Sequence, residues 1–300
     1  MTARFLALLL LLLFGSLVSS RVCLVESTDT STSWSSGADD STSYMAPLPS
    51  VGSRPISWMM KKRWPDKTIP VTIVDSYPQE FRPRVYAAMD AINKLTCLRL
   101  TNGTTATMYS LRVVWGKRAC FSHVGYKKYL PGYQEINLYP TCLYEGLGTA
   151  IHEFIHAIGF HHKQVRPDRD KYVTVHKDRI DQKRFYNFKK MKGKYAYLAT
   201  FGLPYDYNSV MQYPKDAFGT GKGPVITLNQ NFPGYLGETS GPSRADIADI
   251  NRMYECRDHY LGDDIPGAIL YSEFHRGYMA RKPKFSKALW RWNRKMRKFA

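Results

Sequence analysis

His152, Glu153, His156, Gly159 and His162 are the residues whose types and spacing can do chemistry. Positions four apart share one face of an α-helix, so His152 and His156 can offer two imidazoles to one metal ion. Glu153, beside the first of them, is placed to act on a metal-activated water rather than on the metal. Gly159 can take the backbone conformation that stops a helix, and the reversed chain can then return His162 as a third ligand. Three protein ligands leave zinc an open position, which marks a catalytic rather than a structural site. Histidines on a half-apolar helix can also be plain core residues. Here Ile151, Phe154, Ile155 and Ile158 form an apolar stripe that would bury the helix, and stripe and ligand pair can occupy adjoining faces.

Other elements must hold that helix, which is expected to start near 146–149. Residues 69–74 have the alternation of a strand, and 79–95 have helical spacing through Phe81, Val85, Met89 and Ile92. Runs 110–115 and 135–139 read as short strands. After the ligand helix the chain is rich in loop residues until 243–254, where a capping serine precedes Ile247, Ile250 and Met253 in a further helix. No internal repeat is visible.

The 300 residues open with Arg4, an apolar run over 5–14 and small residues ending at Val18, Ser19 and Ser20. This is the pattern of a secretory signal peptide, expected to be cleaved after Ser20, and the run is well short of the ~20 residues that span a bilayer. The mature chain is therefore expected to be secreted, soluble and exposed to oxidising conditions. Five cysteines, Cys23, Cys97, Cys120, Cys142 and Cys256, leave one over; Cys23 is the natural odd one, and the other four allow three connectivities that spacing does not choose among. Asn102 begins a glycosylation sequon. Residues 26–44 are rich in Ser, Thr and Asp without apolar periodicity, as in a disordered leader. The organisation read from the sequence is a signal peptide at 1–20, a disordered leader and candidate propeptide at 21–57, a catalytic domain at 58–257 and a basic tail at 258–300. Residues 276–300 carry ten Lys or Arg and no acid, out of a formal net charge of +18. That tail suits acidic glycans or a membrane surface, while secretion argues against nucleic acid.

Beyond the zinc motif, the run from Gly148 through Asp170, with Arg166-Pro167-Asp168-Arg169-Asp170 at its end, resembles the long zinc signature of the astacin family of metzincin endopeptidases. Residues 205–213 match that family's Met-turn. Arg63-Trp64-Pro65, Ile69-Pro70, Thr96-Cys97, Cys120-Phe121-Ser122, Val124-Gly125 and Tyr254-Glu255-Cys256 extend the likeness over roughly 60–257.

The resemblance implies a two-lobed α+β metzincin fold. The upper lobe would have a mixed sheet and two long helices, and the lower lobe would be irregular with a C-terminal helix. It implies one zinc on His152, His156 and His162, Glu153 as general base and Met211 as an apolar floor beneath the metal. Tyr213 would be a tyrosine that leaves the metal to meet the transition state. It also implies disulfides Cys97 to Cys256 and Cys120 to Cys142, and protein or peptide substrates lying extended between the lobes.

Three positions depart from the family pattern. Lys163 stands where a glutamate usually pairs with the freed amino terminus, and two cations do not make that pair. The leader lacks the FxGD motif whose aspartate blocks zinc in the zymogen; Asp39 and Asp40 follow Gly37-Ala38 without the phenylalanine, and a Cys23 thiolate is another candidate cap. Gln212 replaces the histidine common in the Met-turn. A zinc-containing binding protein without proteolysis is the competing function.

Overall fold

The computed structural model describes residues 62–103, 109–127, 132–191, 200–237 and 240–280. The signal-like start, the leader with Cys23, Asp39 and Asp40, and residues 281–300 of the basic tail lie outside the described residues.

The upper lobe begins with β1 (Thr68–Ile73), whose inward residues Ile69, Val71 and Ile73 are buried. A single 3-10 turn at Gln79–Phe81 leads into α1 (Arg82–Leu95), so the stretch expected to be helical is so throughout, with a tighter first turn. Pro83 falls in the first turn of α1, where a missing N–H costs no helix bond. Val85, Ala88, Met89 and Ile92 form the buried face of α1. The chain continues through β2 (Arg99–Asn102), β3 (Ser110–Val114), β4 (Cys120–Ser122) and β5 (Tyr133–Leu138). These strands make one sheet in the order β2-β1-β3-β5-β4, parallel except for the antiparallel edge strand β4. Helix α2 (Gly148–Ala157) follows and carries the ligand pair.

The lower lobe is mostly turns and short 3-10 segments around a two-stranded ladder, β6 (Val173–Val175) with β7 (Ile226–Leu228). Helix α3 (Arg244–Met253) closes the domain. Ser243 caps it as expected, its hydroxyl accepting from the Asp246 amide while the Asp246 carboxylate accepts from the Ser243 amide. Cys97 pairs with Cys256, tying the end of α1 to the end of α3, and Cys120 pairs with Cys142. Apolar burial forms two clusters: one between sheet, α1, α2 and α3, the other aromatic-rich around Phe188, Tyr205, Tyr207, Tyr213 and Phe218.

The first part of the stretch that sequence charge marks as a tail is folded onto the domain. Ile269 donates its amide to the Gly202 carbonyl at 2.8 Å, and Phe274 of α4 (Tyr271–Ala280) packs near the main core. Arg252 holds this strap by donating to the carbonyls of Leu261, Phe201 and Ile269. Charge counting cannot see this, because the docking rests on a few apolar residues ahead of the basic run.

Candidate metal centre

All nine of the residues from Ala150 to Ile158 on and just past α2 are buried, so the apolar stripe and the polar face are both covered. Helix ends leave carbonyls without intrahelical partners, and here distant groups take them. The Gly125 amide donates to His156 O at 2.8 Å, the Trp64 indole to Ala157 O at 2.8 Å and the Tyr254 hydroxyl to Ile158 O at 2.8 Å. Those donors belong to three of the short motifs that carry the family resemblance. Gly159 has φ +123°, and a Cβ there would meet the Met253 methyl at 2.8 Å. The positive φ is what calls for glycine, since the Met253 methyl at the end of a flexible side chain could move aside.

Beyond that turn His162 comes back to the helix. Its Nε2 lies 3.1 Å from the Nε2 atoms of both His152 and His156, and all three side chains are buried. This triad is a group able to hold a metal ion, and the donor atoms lie within 4.8 Å of one another. The remote ring nitrogens of the helical pair are held by carbonyls: His152 Nδ1 donates to Val210 O at 2.6 Å and His156 Nδ1 to Phe160 O at 2.7 Å. Such contacts set the tautomer so that Nε2 presents its lone pair to a metal. Burial lowers the pKa of His152 to about 4, and burial with the neighbouring imidazoles puts His156 and His162 well below the ordinary histidine value. All three rings are therefore neutral near pH 7, as ligands must be.

Glu153 is fully buried between the helical pair, and neither carboxylate oxygen has a protein partner. Burial raises its pKa well above the ordinary carboxylate value. The Tyr213 ring lies 4.3 Å, centroid to centroid, from that of His162 at a tilt of 52°. Its buried hydroxyl makes no hydrogen bond of normal geometry, with the Gln164 side chain as a polar neighbour. Burial first, then Tyr186 and Glu153, raises its pKa. Met211 is buried in the main core, its amide donating to Ser209 Oγ at 3.0 Å and its carbonyl accepting from the Lys163 amide at 2.8 Å. Gln212 accepts from the Tyr205 hydroxyl at 2.5 Å and donates to Tyr213 O at 2.9 Å, a buried link made by both ends of one amide. Asn102 is exposed at the end of β2.

The departure at Lys163 acquires partners that no motif announced. Its ammonium reaches Asp249 at 2.6 Å and Asp246 at 3.3 Å, all three side chains being buried. Burial opposes that charge, but Asp249 and Asp246 outweigh it and hold Lys163 above its ordinary pKa. A faint signal was present: two acids three apart share the face of α3 that also carries Ile250 and Met253.

The family model of Astacin, a peptidase family, matches residues 57–255. High choriolytic enzyme 1 of Oryzias latipes is 36% identical over 193 residues, covering 63% of this chain and 66% of that protein. Protein SpAN of Strongylocentrotus purpuratus is 34% identical over 203 residues and human meprin A subunit beta 34% over 197; this chain spans 32% and 27% of their lengths. The solved structure of high choriolytic enzyme 1, a hatching enzyme zinc-protease, superposes with a TM-score of 0.57 at 34% identity, covering 65% of this chain and 94% of that one. With the α+β fold and the three-histidine turn already in place, the match over residues 57–255 means that the chain belongs to the astacin family of metallopeptidases.

Proposed function

We propose that the chain is a secreted zinc endopeptidase that hydrolyses peptide bonds of extracellular proteins, holding one zinc on His152, His156 and His162. The observation that carries this reading is the convergence of three neutral imidazoles beside a buried carboxyl with no protein partner. These residues fit the ion: three nitrogen donors with carbonyl-held remote nitrogens on the helical pair suit zinc and leave a position open. When bound, zinc lowers the pKa of water from ~15.7 to about 7 and polarises a carbonyl.

The chain's own residues do the rest. Glu153 takes a proton from the attacking water and returns it to the leaving amine, and its apolar surroundings favour the protonated acid it becomes. Tyr213 has a hydroxyl free to donate to the oxygen on which negative charge develops. Met211 forms the apolar floor of the site. The described residues contain no helix long and apolar enough to cross a membrane, and the basic tail supplies attraction to acidic glycans or anionic membranes.

Hydrolysis of casein or gelatin that stops with a chelator and returns with zinc tests the reading. Glu153→Ala should lower the rate by ~10²–10⁴-fold while metal analysis still finds zinc. Full activity in a folded, zinc-loaded Glu153→Ala protein would defeat the assigned base. A wild-type chain that binds zinc but cleaves nothing would point to the binding-protein reading. Truncation after Ala280, which spares α4, should weaken salt-sensitive retention on heparin if the tail binds polyanions.

A further inference from the structure

We propose that Lys163 is a positioning residue for the metal centre, the internal cation that locks the third ligand and the turn at 209–211 onto α3; the proposal rests on the zinc reading above. The backbone supplies half of the lock: the Lys163 amide, one residue beyond His162, donates to Met211 O at 2.8 Å. The side chain supplies the other half through Asp246 and Asp249.

Asp246 is the hub. One of its oxygens accepts from Ser209 Oγ at 2.5 Å and the other from the Val210 amide at 2.9 Å, besides the Ser243 amide at 3.2 Å. Val210 in turn accepts from His152 Nδ1 through its carbonyl. Two routes therefore leave Lys163 and end on metal ligands. One runs along the chain to His162, the other through Asp246 and Val210 to His152. Contacts behind metal ligands set ring orientation and tune the site.

The local charge balance makes the lysine necessary for this geometry. Arg166, the other cation near Asp249, forms a two-pronged pair with Asp168 and donates to the Leu203 and Pro204 carbonyls. Asp206 adds a further carboxylate nearby, bonded by the Ser243 hydroxyl. Without Lys163, Asp246 and Asp249 would face each other on adjacent turns of α3 without their shared counter-ion. Losing Lys163 would cost two things: neutralisation of these buried acids, and the bridge that ties the residue after His162 to the carboxylate gripping the 209–211 turn. It is the bridge that positions the ligands.

The experiment compares wild type, Lys163→Met and the double variant Lys163→Met/Asp249→Asn. It measures zinc affinity by chelator competition, the visible spectrum of the cobalt-substituted protein, kcat and KM, and melting of the metal-free protein. The double variant removes the charge imbalance while keeping the volumes, and so carries the comparison where the single variant does not fold. Positioning predicts ~10–100-fold weaker zinc binding and a comparable fall in kcat in both variants. The cobalt bands should shift, with KM within about twofold of wild type. In the double variant metal-free melting should recover toward wild type while zinc affinity and kcat stay depressed. Recovery of zinc affinity and kcat together with melting would overturn the proposal, because the lysine would then merely neutralise buried acids. Wild-type zinc affinity in Lys163→Met would overturn it as well. A wild-type chain that takes up no zinc would overturn both this proposal and the zinc reading.

Discussion

In the upper lobe the backbone's polar groups are paired mostly within strands and helices, half-buried Arg82 and exposed Arg99 serving carbonyls at its turns. The buried side chains there are chiefly apolar: Ile69, Val71, Leu111, Val113, Ile136 and Leu138 are each fully buried. In the lower lobe, where the described chain makes little regular structure, backbone turns do much of that pairing and buried charged side chains supply the rest. Arg169 donates to the Gln164 and Phe188 carbonyls at 2.6 Å each, and Arg252 gathers three more. Buried backbone carbonyls need partners whatever the fold. An arginine with five donors in a rigid fork can serve several that no ladder reaches. The lower lobe therefore resists simplification: its charges replace secondary structure rather than decorate it.

The contrast is sharpest in matched core substitutions. Arg169→Met keeps much of the apolar stem but leaves two buried carbonyls without donors, and should cost on the order of 3 kcal/mol. Ile136→Val on the interior strand β5 should cost only about 1 kcal/mol. Denaturant melts of the two variants test this, and equal losses would remove the distinction between the lobes.

Beside the three histidines the lobes meet, and the lower one brings in a buried hydroxyl that makes no hydrogen bond. The Tyr213 hydroxyl is buried without a protein partner, so Tyr213→Phe removes an unsatisfied group and should leave melting unchanged or raised. If that hydroxyl serves the developing oxyanion, kcat should still fall by ~10²-fold, about 2.7 kcal/mol of transition-state stabilisation. A variant that loses stability but keeps kcat would place Tyr213 with the structural polar groups instead.

The same contrast explains what could be read from the sequence. Strand alternation at 69–74 and helical spacing at 79–95 are periodic because the elements they encode are regular, and both match the structure to within a residue or a tight first turn. The zinc motif is legible because α2 and its glycine turn bring its residues together locally. β2 and β4, at 4 and 3 residues, are too short to display a period. Met211 and Tyr213 carry no local signal and are identified through resemblance, since their positions depend on a turn about fifty residues away from the helix. The partnership of Lys163 with Asp246 and Asp249 spans an irregular lobe with no period at all. It reads as a lost ion pair in the sequence and as a new one in the structure.

Glu153 supplies the smallest test and the one that separates the two kinds of buried charge. In the metal-free protein its carboxyl is buried without a protein partner, and burial raises its pKa above the ordinary 4.5. A folded-state pKa above the unfolded value means that stability is fully present below about pH 4.5 and is lost as pH climbs through the raised value. Glu153→Gln keeps the shape and does not titrate. Its melting advantage over wild type, with chelator present, should therefore be slight at pH 4.5 and grow toward pH 7. The histidines run the opposite way: their lowered pKa values remove stability as pH falls from about 6.5, toward about 4 for His152. They are common to both proteins and leave the difference untouched. An advantage that stays flat across that range would mean the carboxyl finds water or a partner in the metal-free state. A rising one would show that the upper lobe keeps this carboxyl at a cost to its stability, whereas the lower lobe's charges hold it together.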